Sequence, residues 1–365
     1  MRALLLVALL ATNAHAIVGG TPSSDPSVVA LVRGEGAAAE LVCSGTVIAP
    51  HAVLVAGHCV TGELPTAIVD GQPIAPILAF TAPGFDATTL ENDVAVLVFV
   101  PPLTPTPRVL ATSSVAVGAT VDLVGFGRTA RDDRSPFAQR SGTAMVTESS
   151  ASSLVTRGPA FTCEGDSGGP ALIGGAIVGI TSSGDCGTVS RHAGIERHRA
   201  FIESVVERTR PDSAHAGDRC WYATNCIASE GECVAALDDE RLSFCTPLCI
   251  DNACPSGLVC SAARCIHAPP SPGANGSTCA TDDECIDELC DAIDGDDVRV
   301  CTVRCFSDLP GFTCPASTRC EPAAGGGEAC FANGSGCCST SRGDVGSLLL
   351  ALLVLGQLLR GRVTP

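Results

Sequence analysis

Residues 165–170 read Gly165-Asp166-Ser167-Gly168-Gly169-Pro170, a serine enclosed by glycines. Glycines allow a tight turn whose backbone N–H groups can point at a developing oxyanion. A serine hydroxyl alone is a weak nucleophile, so it needs a base and an orienting carboxylate. By itself the stretch is also compatible with a surface turn, and its meaning depends on the rest of the chain.

Two upstream segments supply the base and the carboxylate. His58 lies in the segment Val55-Ala56-Gly57-His58-Cys59, and Asp93 opens a strand-like apolar run that ends at Phe99. A lone histidine or aspartate is usually structural, but the order His, Asp, Ser with these flanks predicts a nucleophilic triad. Four rival groups lack such flanks: His51, His192, Asp70 and Asp86. The two histidines among them are expected at the surface.

The composition indicates an exported protein with two or three domains in its 365 residues. Of the 22 cysteines, four precede residue 210, sixteen fall between 220 and 330, and two are Cys337 and Cys338. Such density is typical of disulfide scaffolds in oxidising compartments. The net charge of −17 argues against a nucleic-acid partner, and the absence of lysine excludes Schiff-base and P-loop chemistry.

Short apolar stretches separated by glycine and proline turns run through residues 17–209 and predict an all-β barrel or sandwich. An amphipathic helix is expected over residues 197–208, and Pro211 ends it. The clearest apolar stretches are residues 28–32, 94–100, 120–124 and 176–180.

Residues 17–209 resemble the trypsin/chymotrypsin-like serine proteases. Five segments match in order: Ile17-Val18-Gly19-Gly20, Ala56-Gly57-His58-Cys59, Asn92-Asp93-Val94-Ala95, Gly165 to Pro170, and Thr181-Ser182-Ser183-Gly184. The resemblance implies a double six-stranded antiparallel β-barrel with a C-terminal helix, followed here by small disulfide-rich modules. It implies no cofactor and no metal.

By this resemblance, His58 is the general base, Asp93 orients it and Ser167 attacks the scissile carbonyl of a polypeptide. The N–H groups of Gly165 and Ser167 form the oxyanion hole. The four early cysteines pair as Cys43–Cys59 and Cys163–Cys186.

The resemblance also assigns the specificity pocket. Phe161, six residues before the nucleophile, stands where cleavage after Arg or Lys requires a carboxylate, so we expect cleavage after small or apolar residues. Asp185 and Glu164 near the rim are the alternative, because they could recruit a basic side chain. One wall of the pocket matches Ser182, Ser183 and Gly184, with serine where the family often carries Trp, and the opposite wall matches Gly194.

The first sixteen residues are expected to be a secretory signal peptide, because Arg2 and an apolar run precede Ala14-His15-Ala16. Cleavage after Ala16 would make Ile17 the amino terminus. In the family that terminus forms an ion pair with the residue matching Asp166, so removal of the signal peptide would itself activate the protein.

Residues 217–268 and 279–330 are expected to be two related Cys-rich repeats, each with eight cysteines and the same Cys-x5-Cys opening. Four bridges per repeat are expected, with zinc as a weaker alternative. We expect spacers or modules that bind a surface protein or glycan. An acidic run over residues 291–297 could bind calcium, but a solvated loop is the favoured interpretation.

Residues 331–365 are expected to be a sorting or anchor segment. Gly336-Cys337-Cys338-Ser339, the apolar run 348–359, and Arg360 and Arg362 resemble the MYXO-CTERM type of bacterial sorting signal. A marginal transmembrane helix is the alternative. Both interpretations insert the segment into a membrane at least transiently and tether the protein at the cell surface.

The sequence therefore predicts a secreted, surface-tethered serine endopeptidase. Two alternatives stay open. One is a non-catalytic adhesion protein that uses a protease fold as a platform, and the other is an esterase that uses the same triad.

Overall fold

The computed structural model describes residues 17–332, except residues 101, 131, 133–136, 288, 293–297, 306–313 and 315–317. The expected signal peptide and C-terminal segment, and most of the acidic run at 291–297, lie outside the described residues. The described chain divides into two compact units. The first runs to Val234 and includes 243–251, and the second comprises 235–242 and the residues from Asn252 onward.

The N-terminal half of the first unit is a curved antiparallel sheet in the order β6-β5-β2-β3-β4-β8-β7. A short strand, β1, precedes it in the chain and pairs elsewhere. The strands are β1 (Thr21–Pro22), β2 (Val28–Arg33), β3 (Glu40–Ala49), β4 (Ala52–Val55), β5 (Thr66–Val69), β6 (Gln72–Ile74), β7 (Leu78–Thr81) and β8 (Ala95–Val98). Single 3₁₀ turns lie at Gly36–Ala38 and Gly57–Val60.

The second half closes into a six-stranded antiparallel barrel, in the order β10-β11-β14-β13-β12-β9, because β9 also pairs with β10. The strands are β9 (Thr120–Gly125), β10 (Arg140–Ser149), β11 (Ser153–Arg157), β12 (Pro170–Ile173), β13 (Ala176–Gly184) and β14 (Ser190–Gly194). The helix α1 (Ile195–Arg208) follows. The predicted fold class is confirmed, with one difference: the pairings of the described residues leave the N-terminal sheet as a half-barrel.

Apolar side chains fill the two halves, as the alternating stretches predict. Phe99 and Leu97 are fully buried in the N-terminal sheet, and Ile180 and Ile202 are fully buried where α1 packs. Burial of this kind contributes about 1.5–3 kcal/mol for each large apolar side chain.

The end of α1 is covered by the chain that follows it, still within the first unit. Asn225 Nδ2 donates to the carbonyls of Arg208 and Arg210 at 3.3 and 2.8 Å, and Tyr222 Oη donates to Thr209 O at 2.6 Å. These donors satisfy carbonyls that the last helical turn leaves without partners.

An aromatic and guanidinium stack lies beside these donors. Trp221 meets the edge of Phe80 at a centroid distance of 4.9 Å. The Arg208 guanidinium lies 4.7 Å from the Phe80 ring and 5.0 Å from the Trp221 ring. The stack joins the beginning of the Cys-rich region to residues 17–209, the barrel region.

All sixteen cysteines between 220 and 330 are disulfide-bonded. A disulfide sulfur is not a thiolate, so these residues do not offer zinc the ligand that it needs. Seven described pairs are Cys220–Cys233, Cys226–Cys245, Cys254–Cys265, Cys279–Cys290, Cys285–Cys301, Cys305–Cys320 and Cys314–Cys330.

Short strands accompany the disulfides. They are β15 (Glu232–Ala235), β16 (Ser243–Thr246), β17 (Val259–Ser261), β18 (Arg264–Ile266), β19 (Cys290–Asp291), β20 (Val300–Cys301), β21 (Arg304–Cys305), β22 (Thr318–Pro322) and β23 (Glu328–Ala332), with 3₁₀ turns at Ala223–Asn225 and Asp282–Glu284. Within the described part of the chain, no helix combines the length and apolar character needed to cross a membrane.

Candidate active site

The pairing of β4 with β8 brings His58 and Asp93 together. Val55 lies opposite Ala95 in this ladder, and His58 and Asp93 flank that pair in the chain. His58 Nδ1 lies 2.8 Å from Asp93 Oδ2, and the His58 backbone N–H donates to Asp93 Oδ1 at 2.8 Å. Because the carboxylate accepts from Nδ1, the ring lone pair is at Nε2.

A third donor reaches the same carboxylate from the closed six-stranded barrel. Ser182 Oγ donates to Asp93 Oδ2 at 2.6 Å, and Asp93 is fully buried. Ser182 is the extra residue of a bulge in β13, since Thr181 pairs with His192 and Ser183 pairs with Arg191. Bulges of this kind redirect a side chain, and here the hydroxyl reaches the other half of the fold.

Ser167 is held next to the histidine turn by its backbone. Ser44 N donates to Ser167 O at 2.8 Å, and Cys59 Sγ lies 3.9 Å from the same oxygen. The Cys43–Cys59 disulfide joins β3 to the turn that carries His58. Three distant segments of the chain therefore converge, with Ser167 half-buried and the His58 side chain 28% exposed.

The backbone N–H groups of Gly165 and Ser167 each point away from a hydrogen bond of this turn. Glu164 O accepts from Arg128 N at 2.8 Å, and Asp166 O accepts from Gly169 N at 2.9 Å. In a trans peptide the N–H points opposite to the carbonyl, so the next residue's N–H faces away from each of these bonds. Neither N–H has an acceptor among the described residues.

Gly165 is required by its backbone and its surroundings. Its φ is +92°, and a Cβ there would lie 2.6 Å from Leu41 Cδ2 and 2.9 Å from Gly127 Cα. Ser44 Oγ holds the Gly165 carbonyl at 2.8 Å and accepts from Phe126 N at 3.0 Å. The peptide groups of the turn are therefore fixed before any ligand arrives.

Asp166 points away from Ser167 into the interior, where it is fully buried. It accepts from Gly127 N at 2.8 Å, from Cys163 N at 2.9 Å and from the Ile17 backbone N–H. Burial raises the pKa of Asp166 to about 7, although the three N–H donors act in the opposite direction. The structure thus brings Ile17 and Asp166 into contact.

Phe161 and Thr162 lie in the segment that leads to Ser167, on the opposite side of a narrow gap from Gly184. Phe161 pairs with Val18 through two backbone hydrogen bonds of 2.9 and 3.0 Å. Thr162 N donates to Ser190 Oγ at 2.8 Å, whereas Thr162 Oγ1 is buried and has no partner among the described residues. A Cβ on Gly184 would lie 2.4 Å from that oxygen, so the two walls almost touch.

Gly194 does not form the opposite wall, contrary to the sequence expectation. The register of β13 with β14 places Ser190 opposite Gly184, and Gly194 opposite Gly179 at the start of α1. The predicted wall residues Ser182, Ser183 and Gly184 do lie together at the end of β13.

The model of the trypsin family matches residues 17–202. The chain belongs to the trypsin family. It is 27% identical to a trypsin of Saccharopolyspora erythraea over 229 residues, or 53% of this chain and 97% of that protein. It is 30% identical to serine protease SP24D of Anopheles gambiae over 228 residues, with 53% and 82% covered. Trypsin alpha of Drosophila erecta is 28% identical over 226 residues, with 53% and 87% covered.

Both acidic residues that were expected at the rim of the specificity pocket have partners. Asp185 accepts from Thr188 Oγ1 and from the backbone N–H groups of Gly187, Thr188 and Val189. The Thr188 hydroxyl and then these N–H groups lower the Asp185 pKa far below its usual value. Glu164 lies 2.5 Å from Arg128 Nη1.

The rival histidines are buried in the trypsin-family domain, and the expectation that they lie at the surface is wrong. His51 Nε2 donates to Val206 O at 2.9 Å, beneath α1. His192 contacts Thr156 Oγ1 at 3.0 Å, and burial lowers its pKa to about 4. Both rings are packed and hydrogen-bonded inside the domain, so they have a structural role and are not candidates for the general base.

Two positioning groups escaped the sequence interpretation. Ser44 fixes both the Gly165 carbonyl and the Ser167 carbonyl, and Ser190 fixes the Thr162 backbone. Ser44 follows the cysteine of the Cys43–Cys59 pair, which was the available signal for its place. Ser190 has no such signal, because its position depends on the strand register.

Proposed function

We propose that the protein is a secreted, surface-tethered serine endopeptidase. The observation that carries the proposal is the His58–Asp93 pair, with its third donor Ser182, beside a half-buried serine and two N–H groups without acceptors. Membership of the trypsin family supports hydrolysis of peptide bonds in polypeptides.

The geometry supports the following mechanism. His58 Nε2 takes the proton of Ser167 as the hydroxyl oxygen attacks the scissile carbonyl. The carbonyl oxygen becomes an oxyanion that the Gly165 and Ser167 N–H groups stabilise, each by about 3–4 kcal/mol. His58 then gives its proton to the leaving amine, and water releases the acyl group by the same steps in reverse.

Cleavage before Ile17 is the proposed activating event. It replaces the Ile17 amide with an ammonium, which supplies the charge that the buried Asp166 carboxylate lacks. It also removes a constraint, because Ile17 has φ of +50° and a β-branched residue rarely adopts that value. We propose that signal peptidase makes this cut.

The proposed substrates carry a small uncharged residue before the scissile bond. The near contact of Gly184 with Thr162 leaves little room, Phe161 brings no carboxylate, and both rim acids are engaged. A basic side chain would therefore enter a narrow space without a counter-charge, which is costly.

The proposal includes export because residues 1–16 resemble a signal peptide, and it includes tethering because residues 331–365 resemble a sorting or anchor segment. The Cys-rich region is proposed to space the protease from the surface or to bind a surface protein or glycan there.

A fluorophosphonate probe tests the enzyme directly. We expect the protein with Ile17 as its first residue to be labelled and its Ser167→Ala variant not to be. Peptide-library profiling of the same pair should then show Ala, Ser or Val before the cleaved bond. Absence of labelling in the folded protein would support the non-catalytic platform, and preferred hydrolysis of simple esters would support the esterase.

A further inference from the structure

An open cavity of about 410 Å³ adjoins the buried side of the triad. Its lining includes Asp93 and Ser182 and continues to Ser183, Arg191 and Arg197. We call it the arginine cavity. Asp93 and Ser182, which hold His58, form part of its wall, so the cavity lies next to the triad.

The wall of the arginine cavity is preformed. Leu90 and Asn92 have φ of +59° and +51°, values that non-glycine residues hold only where the surroundings enforce them. Leu90 N donates to Asp86 O at 2.8 Å, and Asn92 Nδ2 donates to Gly84 O at 3.0 Å. The segment therefore need not be ordered by a ligand.

Two arginines are among the residues that line the cavity. Arg197 Nε donates to Asn92 Oδ1 at 3.3 Å, which leaves its two Nη groups without a partner among the described residues. Arg191 is exposed, and its guanidinium makes no hydrogen bond or ion pair with the described residues. The protein as a whole has a net charge of −17, so two arginines without a carboxylate partner stand out.

The two carboxylates in the lining do not neutralise these arginines. Asp93 is buried and accepts from His58 N, His58 Nδ1 and Ser182 Oγ. Glu91 is exposed, and it forms no ion pair with either arginine. Guanidinium groups bind carboxylates through paired charge-assisted hydrogen bonds.

We propose that the arginine cavity binds an acidic side chain of the polypeptide substrate, close to the scissile bond, through Arg191 and Arg197. Because the Ser183 side chain is small, it leaves space for the acidic side chain of the substrate. The proposal rests on the proposed function, because it specifies the substrate of that same site.

The test uses pairs of peptides that differ at one position, Glu against Gln, with that position moved along the peptide. Kinetics are measured on wild type, Arg191→Gln, Arg197→Gln and the double variant. Arg199→Gln is the control, since Arg199 lies on the same helix but pairs with Glu203 outside the cavity. Melting curves verify that all variants are folded.

At one position we expect the Glu peptide to have a kcat/KM about tenfold above that of the Gln peptide. The ratio should fall below about twofold in the double variant and be retained in Arg199→Gln. Arg191→Glu should reverse the preference toward a Lys peptide. Equal rates for Glu and Gln at every position, or a ratio that survives in the double variant, would overturn the proposal.

Binding to the Ser167→Ala variant separates the two proposals. Its affinity for fluorescent Glu and Gln peptides is measured at low and high salt. Equal affinities overturn the acidic preference while fluorophosphonate labelling of wild type still supports the enzyme. A salt-sensitive preference without any labelling supports the cavity and overturns the enzyme.

Discussion

Residues 17–209 form two sheet-built halves around apolar clusters and contain two disulfides, whereas residues 220–330 contain sixteen disulfide-bonded cysteines and only short strands. In the second region, disulfide-bonded cysteines form a cluster of their own, Cys279, Cys285, Cys290 and Cys301, beside one small apolar cluster around Phe331. The difference shows two ways to offset the loss of chain entropy on folding. Apolar burial stabilises the folded state, and cross-links reduce the entropy of the unfolded chain. The candidate active site lies wholly in the region that uses burial.

Asp93→Asn gives the largest expected effect and tests whether the chemistry belongs to the barrel region alone. The amide keeps the size of the side chain but no longer fixes Nδ1–H on His58, so kcat should fall by about 10⁴. Peptide hydrolysis of the processed protein measures it. Substitution of Asp238 in the Cys-rich region is the control, and a comparable loss there would contradict the division.

The buried charge of Asp166 is the next test, with an expected effect of roughly 4 kcal/mol. When Ile17 is blocked, the pKa of Asp166 is raised from 3.8 to about 7 by burial. The stabilising contribution is then complete below pH 3.8 and is lost as pH rises to 7. A free Ile17 ammonium should abolish this loss.

Urea unfolding from pH 4 to 8 compares the protein that begins at Ile17 with its acetylated form. The difference between the two cancels the titration of every group that the two proteins share outside this pair, and leaves that of Asp166 and of the free Ile17 amine, whose unfolded pKa is about 8. Asp166→Asn in the acetylated protein should remove the pH dependence. Parallel stability profiles for the free and acetylated proteins would refute the ion pair.

Two disulfides of equal sequence separation give a matched comparison. Cys43–Cys59 and Cys285–Cys301 each join residues 16 positions apart, so each should contribute about 3 kcal/mol by loop closure. We expect the Cys43→Ala, Cys59→Ala protein to melt at lower temperature but to stay folded on its apolar core.

The Cys285→Ala, Cys301→Ala protein should instead lose the fold of the surrounding Cys-rich segment. Limited proteolysis and hydrogen exchange locate the change. If the Cys285→Ala, Cys301→Ala protein is no more sensitive to protease than the Cys43→Ala, Cys59→Ala protein, the two regions do not differ as described.

Trp221→Ala has the smallest expected effect, about 1–2 kcal/mol, from its contacts with Phe80 and the Arg208 guanidinium. Thermal unfolding of the barrel region measures it. Trp221→Phe, which keeps a ring, should recover about half of the loss. An unchanged melting temperature would mean that the stack adds nothing to the barrel region.

The sequence predicted the fold class. It also predicted that His58, Asp93 and Ser167 belong to one site, because each lies in a short motif that can be recognised without knowledge of its spatial neighbours. The wall opposite Gly184 could not be predicted in this way. It depends on the bulge at Ser182, which shifts the pairing of β14 and puts Ser190 where Gly194 was expected. The burial of His51 and His192 likewise depends on partners about 155 and 36 residues away in the chain.

The donors at the end of α1 matter to anyone who wishes to dissect this chain genetically. Composition suggests a cut after Thr209, yet that cut would discard Asn225, Tyr222 and Trp221. It would strip the Arg208 and Thr209 carbonyls of their donors and leave Phe80 facing water. A shortened protein should therefore extend to Asp251, where the first unit ends, so that the helix end and the residues that cap it stay in one piece.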